Sequence, residues 1–357
     1  MLNREQKLML FKARRTPNCL FSTLPVELIR EISEFGRDDT AFNEALHHVA
    51  YGELEKVQAM LEEASRAQDK TKLKELLLLS GTAMTPAVTV KHTTLLECAL
   101  GSGDPEMIEM IKSYFSKFEG GEEEKERQLE RYRPCIKAME NQKPDDLTWL
   151  FDIIKKASAQ DVLEELKTGD QYDPSYKSAL RDAMNKFRKE KLDPKVRTIT
   201  KPRMHCNYQN LNAAYELLNA EWNNLKDANS YDKHYLVARQ IIGLIGLIEL
   251  PAYERYVFAR GQAKEATAGK KIERSLDYKY DSGTFPLASI SLINSHSGVG
   301  FDFFVSICGA QLSGRAGPNP DDEVRHLLQG LCQAKNNKLA ELMQAAQRPE
   351  PKKRPRA

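Results

Sequence analysis

The chain has 357 residues, of which 41% are hydrophobic and 29% are charged. This length and composition suit two domains of ordinary size and exclude a chain that is disordered throughout. The formal net charge is only +2, so the charge of the whole chain gives no argument for binding nucleic acid.

The first predicted element with a distinct pattern is a helix that begins near Leu24. Thr23 can cap this helix and Gly36 can end it. The segment from Leu24 to Ile32 resembles the opening helix of an F-box, Leu-Pro-x-Glu-Leu-x-x-x-Ile. That resemblance implies docking to a Skp-type adaptor of a cullin ubiquitin ligase through Leu24, Pro25, Leu28 and Ile32. The later part of the F-box pattern is absent, and the alternative is a helix that caps the first repeat of a stack.

Two helix pairs, each joined by a glycine, are predicted next. Around Gly103, apolar and polar residues recur at helical spacing: Thr94, Leu96, Ala99, Glu106, Ile108 and Ile111. Three residues follow Gly52 at the same offsets: Glu55, Val57 and Met60. The pattern Thr-x-Leu-x-x-Ala-x-x-x-Gly resembles an ankyrin repeat, and this resemblance implies a stack of helix pairs with a shared core.

The two glycines, Gly52 and Gly103, are 51 residues apart, against an ankyrin period of about 33. An insertion therefore separates the two predicted repeats, and residues 76–81 and 88–90 within it predict an extended hairpin. Helices predicted at residues 147–154 and 162–166 form a degenerate third repeat that lacks the glycine. The highly charged segment 119–133 predicts a solvated helix on the outside of the stack.

Residues 167–202 are polar, carry several prolines and predict a boundary between domains. From Arg181 to Met204, nine Lys or Arg residues stand against three Asp or Glu residues. Within it, the stretch Lys186 to Arg203 could meet nucleic acid or anionic lipid, but it holds Phe187 without an interleaved series of aromatic residues for base stacking. The pattern therefore favours a solvated linker.

The C-terminal half predicts helices at residues 211–222, 235–250, 253–268 and 324–346. Alternating patterns at 275–280 and 301–308 predict a small antiparallel sheet between Ile272 and Cys308. The longest apolar run, Ile241 to Leu250, is too short to cross a bilayer. The tail ends in a basic cluster that fits either a nuclear localisation signal or an export signal: Lys352, Lys353, Arg354 and Arg356.

Few residues are arranged as catalytic or metal-binding motifs. The glycine-rich residues 295–300 lack the Gly-Lys-Ser/Thr ending and favour a hairpin turn over a phosphate-binding loop. The candidate pairs for cysteine-based catalysis are His296 with Cys308 and His205 with Cys206, although a small buried cysteine is the commoner situation for Cys308. No CxxC pair and no spaced cluster of His, Asp and Glu occurs, so neither a metal ion nor a cofactor is predicted.

Five segments of the C-terminal half occur in a distinct order: Leu250-Pro-Ala-Tyr-Glu-Arg-Tyr, Tyr278-Lys-Tyr, Gly283-Thr-Phe-Pro-Leu287, Gly298-Val-Gly-Phe-Asp302 and Leu328-Gln-Gly-Leu-Cys-Gln-Ala-Lys335. Together they resemble the shared C-terminal region of ankyrin-containing effector proteins of Legionella-type intracellular bacteria. The resemblance implies a secreted virulence effector that acts in the cytoplasm or nucleus of a host cell. It implies no particular reaction.

The sequence therefore predicts a mainly α protein, with a short divergent ankyrin-type helical stack followed by a helical domain that carries a small antiparallel β-sheet. The predicted division is 1–36 for the F-box-like or capping segment, 37–169 for the repeats with the hairpin, 170–346 for the C-terminal domain and 347–357 for the basic tail. The favoured function is binding of a host protein through the concave side of the stack and the hairpin residues Met84, Val88, Val90 and Lys91. The alternatives are an enzyme with its site in the C-terminal domain and an F-box-like adaptor.

Overall fold

In a computed structural model of the chain, the residues that the structure describes are 40–85, 88–167, 173–226, 230–250, 277–280, 283–286, 293–294, 298–299 and 322–345. These residues are mostly helical, with a few short strands, so the predicted mainly α fold class is confirmed. Within these ranges, no helix is both long enough and apolar enough to cross a membrane.

The first part of the described chain forms these elements in order: α1 (Thr40–Ala50), α2 (Leu54–Arg66), α3 (Thr71–Leu78), β1 (Gly81–Met84), β2 (Thr89–Thr93), α4 (Leu95–Ser102), α5 (Pro105–Lys112), a 3-10 turn (Phe115–Lys117), α6 (Gly121–Ala138) and a second 3-10 turn (Met139–Asn141). The middle part continues with α7 (Thr148–Lys156), α8 (Ala159–Leu166), α9 (Ala179–Leu192), α10 (Pro194–Arg197), β3 (Thr198–Ile199), α11 (Tyr208–Glu221), a 3-10 turn (Trp222–Leu225), α12 (Asp232–Leu236), a π-helical segment (Val237–Ile242) and α13 (Gly243–Glu249). The last part contains β4 (Asp277–Tyr280), β5 (Gly283–Pro286), β6 (Ile293–Asn294), β7 (Gly298–Val299) and α14 (Asp322–Ala345).

Two glycines close the helix pairs that the sequence predicts. Gly52 joins α1 to α2 and Gly103 joins α4 to α5, with positive φ angles of 71° and 64°. Glycine reaches this left-handed region without the steric penalty that a Cβ carries. Thr94 and Glu97 form a capping box at the start of α4, and the side chain of Asp104 caps α5. The helices and turns of both pairs are therefore confirmed.

The two helix pairs lie side by side. α1 packs against α4, and α2 packs against α5. Their apolar faces meet in one hydrophobic cluster, here called the first cluster, whose buried members include Val49, Leu61, Leu96 and Ile108. A single pair could not bury such faces alone, which explains the stacking. The ankyrin type of this arrangement stays a prediction.

The predicted hairpin is confirmed between the two pairs, where β1 and β2 are antiparallel. A third strand, β3, lies parallel to β2 on its other side, so the sheet has the order β1-β2-β3. The sequence pattern did not predict this strand, because β3 is only two residues long and its partner lies more than 100 residues away along the chain.

Helices α7 and α8 occur where a degenerate third repeat is predicted, but they do not extend the first cluster. They pack against α9, and α8 also packs against α12. Their residues Phe151, Ile154 and Val162 belong to a second cluster, whose buried members lie between Leu147 and Leu250. The predicted domain boundary stands at residues 169–170, whereas the second cluster already begins at Leu147 and the first cluster also contains Ile199 and Met204.

The prediction of a solvated linker over residues 186–203 is wrong, because much of the predicted boundary segment 167–202 is folded. Helix α9 lies within this segment and buries Leu180, Met184 and Phe187, which share one face of the helix. Charged residues flank these apolar residues in the sequence, so the apolar face of the helix is hard to recognise from the pattern. Two of them, Arg181 and Arg188, are themselves buried.

The charged helix α6 is confirmed as a helix, but it is not solvated on all sides. It packs against α4. Its buried face consists of one stripe: Gln128, Leu129, Tyr132 and Ile136. This narrow stripe is enough to dock the helix, although most of its surface is charged.

In the C-terminal half, the predicted helices at 211–222, 235–250 and 324–346 are confirmed as α11, the run from α12 to α13, and α14. The predicted strand at 275–280 is observed as β4, which pairs antiparallel with β5. β6 and β7 form a further antiparallel pair within the predicted sheet region. The predicted helix at 253–268 and the predicted strand at 301–308 lie outside the described residues.

Candidate partner-binding surface

The three-stranded sheet turns one face to the protein core. In its register, Ala83 of β1 lies opposite Val90 of β2, and Val90 lies opposite Ile199 of β3. The exposed fractions of these three side chains are 2%, 3% and 3%. Because successive side chains of a strand point to opposite faces, this buried row fixes which residues face outward.

The outward row crosses the same three strands. Met84 lies opposite Thr89, and Thr89 lies opposite Thr198. We call the outward-facing set of residues the open face, and its members are Thr82, Met84, Thr89, Lys91, Thr198 and Thr200. Met84 is 65% exposed, which makes it the most exposed of the large hydrophobic residues in the described part of the chain. An accessible methionine beside a fixed strand is a common element of protein-binding surfaces.

A bulge in β2 shapes the open face. Between the paired positions, Lys91 and His92 of β2 stand against the single residue Thr82 of β1. His92 has a φ of 56°, a left-handed backbone conformation that residues other than glycine rarely adopt. Such a residue is strained by about 1–3 kcal/mol, and bulges of this kind re-aim neighbouring side chains. The extra residue allows Val90 and Thr93, three positions apart, both to be buried on either side of the bulge.

Positive charge surrounds the open face. Residues 81–93 and 194–206, which form the sheet and its flanks, contain no Asp or Glu. The cations of these two segments are Lys91, Lys195, Arg197, Lys201 and Arg203. Arg203 donates a hydrogen bond from Nη2 to the carbonyl oxygen of Val196 at 2.7 Å, and the Val196 side chain is 56% exposed. Burial lowers the pKa of Arg197 from its ordinary value.

The segment after β3 connects the sheet to helix α4 through a hydrogen bond and a packing contact. The backbone N–H of His205 donates to the carbonyl oxygen of Gly101 at 2.8 Å. The imidazole lies directly against Gly101, where any Cβ would collide with Nε2. Part of His205 stays accessible, but Nε2 itself is enclosed and has no hydrogen-bond partner. Burial, together with the nearby cations Arg203 and Lys335, lowers the pKa of His205 to about 3.

This arrangement does not favour the predicted His205–Cys206 pair as a catalytic site. A general base works best with a pKa near the operating pH, and the pKa of His205 lies far below neutrality. Behind the sheet, His205, Cys206 and Cys98 line a cavity of about 20 Å³, room for roughly one water molecule. Burial raises the pKa of Cys98 to about 12, so its thiol stays protonated at neutral pH.

The predicted concave side of the stack is not available at the second helix pair. Every residue of α4 from Leu95 to Gly101 is buried. α6 packs against α4, and α14 packs against α5 and α6. The hairpin is therefore the part of the predicted partner surface that stays accessible.

The predicted contact residues of the hairpin fall into three groups. Met84 and Lys91 are exposed, as a contact residue requires, and Val88 is half-buried. The assignment of Val90 to the partner surface is wrong, because its side chain packs in the core between Ala83 and Ile199. Alternation along β2 could have shown that Val90 and Lys91 face opposite sides, but only the full register shows which side is buried.

The contribution of β3 to this surface was not predicted from the sequence. The alternation Thr198, Ile199, Thr200 was the signal for a strand, but the surrounding prolines and lysines favoured a linker. The remaining predicted sites lie outside the described residues, namely the F-box-like residues Leu24, Pro25, Leu28 and Ile32, the tail residues Lys352, Lys353, Arg354 and Arg356, and the residues His296 and Cys308.

Comparison of the sequence with models of protein families, with curated proteins and with solved structures gives no match. Among the described residues, no three His, Cys, Asp or Glu side chains come together as metal ligands. Cys98, Cys135 and Cys206, the cysteines of the described ranges, form no disulfide bond.

Proposed function

We propose that this chain is a protein-interaction module that binds a partner protein through the open face of the three-stranded sheet. The partner is a host-cell protein, as the resemblance to bacterial effectors implies. The observation that carries the proposal is the 65% exposure of Met84 on a strand whose neighbouring residue, Ala83, is 2% exposed.

The sheet presents this surface on a rigid support. Packing of α1 against β1 holds the hairpin in place, and a Cβ at Gly81 would lie 2.7 Å from Cε1 of Phe42. A surface that is already ordered loses little conformational entropy when a partner binds. Rigid presentation therefore favours binding at the hairpin over binding at a mobile loop.

The test is affinity purification from host-cell lysate with the full chain as bait and quantitative mass spectrometry as readout. The bait variants are Met84→Asp and, as a matched control, Leu163→Asp, because Leu163 is 45% exposed on α8. Each variant places a carboxylate at an exposed apolar position, so nonspecific effects of the new charge are shared. We expect a defined set of proteins to be retained by Leu163→Asp and reduced at least about ten-fold by Met84→Asp, the effect of losing a central contact residue.

Circular dichroism and thermal melting of both variants establish that they fold. A protein set that is unchanged in Met84→Asp, or that falls equally in both variants, would overturn the proposal. Recovery of cullin components with every bait would instead support the F-box-like segment as the binding element.

A further inference from the structure

We infer that the open face binds an acidic segment of the partner, in which carboxylates meet the surrounding cations and an apolar side chain packs on Met84 and Val196. This inference rests on the proposed function and names the class of partner. It follows from the charges of the sheet, from its exposed apolar residues and from the types of residue that the surface lacks.

Four cations around the open face have no carboxylate partner in the described part of the chain. Neither Lys91, Lys195, Lys201 nor Arg203 forms an ion pair with a carboxylate in the part of the chain that the structure describes. Several other lysines of the described chain do pair with a carboxylate: Lys56, Lys72, Lys125, Lys155, Lys167 and Lys191. The sheet thus offers unneutralised positive charge, and an incoming carboxylate meets attraction with no competing acid on either segment.

The register places this charge beside the apolar contacts. β2 and β3 are parallel, with Thr89 opposite Thr198 and Val90 opposite Ile199. Continuing that register places Lys91 beside Thr200, immediately before Lys201. At the other end of β3, Val196 is 56% exposed and Met84 is 65% exposed. An extended peptide across the face would therefore meet Met84 and Val196 together with Lys195 and Arg203 at one end, and Lys91 and Lys201 at the other.

A protein segment explains these features better than nucleic acid or a membrane does. Residues 81–93 and 194–206 contain no Phe, Tyr or Trp, whereas binding of single-stranded nucleic acid relies on aromatic stacking. A membrane surface is bound by an amphipathic helix with a broad apolar face, and the open face presents strands rich in threonine. Carboxylates with one apolar side chain match both the charge and the small apolar area.

The test uses a display library of random 12-residue peptides, selected against the immobilised full chain. Selected peptides are then synthesised, and their binding is measured by fluorescence anisotropy at low and high salt. The variants are Met84→Asp, the double variant Lys91→Glu/Lys201→Glu, and Lys156→Glu as the control, because Lys156 is an exposed lysine on α7.

We expect selected peptides to be acidic with at least one apolar residue. Their binding should weaken about ten-fold or more in Met84→Asp and in the double variant, should weaken at high salt, and should be unchanged in Lys156→Glu. Neutral or basic peptides that still depend on Met84 would overturn the acidic partner and leave the proposed function standing. Selected peptides that ignore Met84 would overturn both. Tighter binding of random-sequence single-stranded RNA or of phosphatidylserine vesicles at the same residues would also overturn the acidic protein segment as occupant.

Discussion

At the scale of single residues, local sequence determines the turns, whereas remote segments of the chain decide whether a side chain is buried or exposed. The turns at Gly52 and Gly103 were predictable because a glycine between two helical patterns has few other uses. The outward or inward direction of Val90 was not, because it depends on β3, which arrives from a remote segment. The same holds for His205: the adjacent Cys206 suggests catalysis, but the imidazole is enclosed against Gly101, which is remote along the chain.

The enclosed ring of His205 predicts a loss of stability in acid. Its pKa is about 3 in the folded protein and about 6.5 when unfolded, so between these values the unfolded chain binds the extra proton. The stability contributed by neutral His205 is therefore complete above pH 6.5 and is lost progressively as the pH falls toward 3. The groups that face the ring are cations, Arg203 and Lys335, and they oppose protonation further.

The measurement is the free energy of unfolding in urea for the natural chain and for His205→Gln, which cannot titrate, between pH 7 and pH 5. Lowering the pH over this range should destabilise the natural chain by about 1–2 kcal/mol more than the variant. Parallel stability curves for the two proteins would show that the imidazole is freely hydrated.

At the scale of elements, patterns of apolar residues predict most helices correctly. The wrong predictions concern helices whose buried apolar residues are flanked by charged residues in the sequence. The sequence of helix α9 favours a linker because it is rich in lysine and arginine. Two of its arginines are buried because Glu165, at the end of α8, meets both of them. It pairs with Arg181, and its Oε2 lies 2.8 Å from Nη2 of Arg188. Such pairing cannot be read from composition, since it joins residues of different helices.

The pairing of one carboxylate with two guanidinium groups predicts a sensitive position. The Glu165 side chain is fully buried, and both arginines are at least 96% buried as side chains, since 4% and 3% are exposed. Glu165→Gln removes the charge of the carboxylate that both buried guanidinium groups contact, which should lower the free energy of unfolding by about 3–5 kcal/mol.

The neighbouring variant Glu164→Gln is the matched control for this substitution. Glu164 is also buried, but it pairs at 2.6 Å with a single cation, Lys167, whose side chain is 38% exposed, so its substitution should cost less, about 1–2 kcal/mol. Urea denaturation followed by circular dichroism gives both values. Equal losses in the two variants would mean that solvent reaches the Glu165 site.

At the scale of the whole molecule, the order of elements along the chain does not match their association in space. Helix α14 comes last among the described elements, yet its residues Leu339, Leu342 and Met343 belong to the first cluster. The same helix packs against α11, which belongs to the second cluster. Its amphipathic pattern predicted a helix but could not indicate its neighbours, because contacts over such separations leave no local signal.

Lys335 of α14 connects the two clusters directly. Its ammonium group donates to the carbonyl oxygen of Ser102, at the end of α4, at 3.3 Å. It also donates to the hydroxyl of Tyr208, at the start of α11, and lies 4.1 Å from the centre of that ring. A Cβ at Gly103 would lie 2.5 Å from Cε of Lys335, so the glycine that ends the helix also leaves room for the lysine. The positive charge of Lys335 also interacts favourably with the negative, C-terminal end of the α4 helix dipole.

Replacing this lysine should therefore weaken the attachment of the two clusters to each other. Lys335→Met keeps an unbranched apolar chain but removes the donor, leaving Ser102 and Tyr208 with one hydrogen bond fewer, and should lower the free energy of unfolding by about 1–3 kcal/mol. Lys338→Met is the control, because Lys338 is 45% exposed and lies 3.6 Å from Glu109, and such a surface pair contributes about 1 kcal/mol or less. Because Lys335 touches both clusters, thermal unfolding of Lys335→Met should also broaden or separate into two transitions, while Lys338→Met keeps one. A single sharp transition at unchanged temperature in Lys335→Met would show that the apolar contacts of α14 hold the clusters together without the lysine.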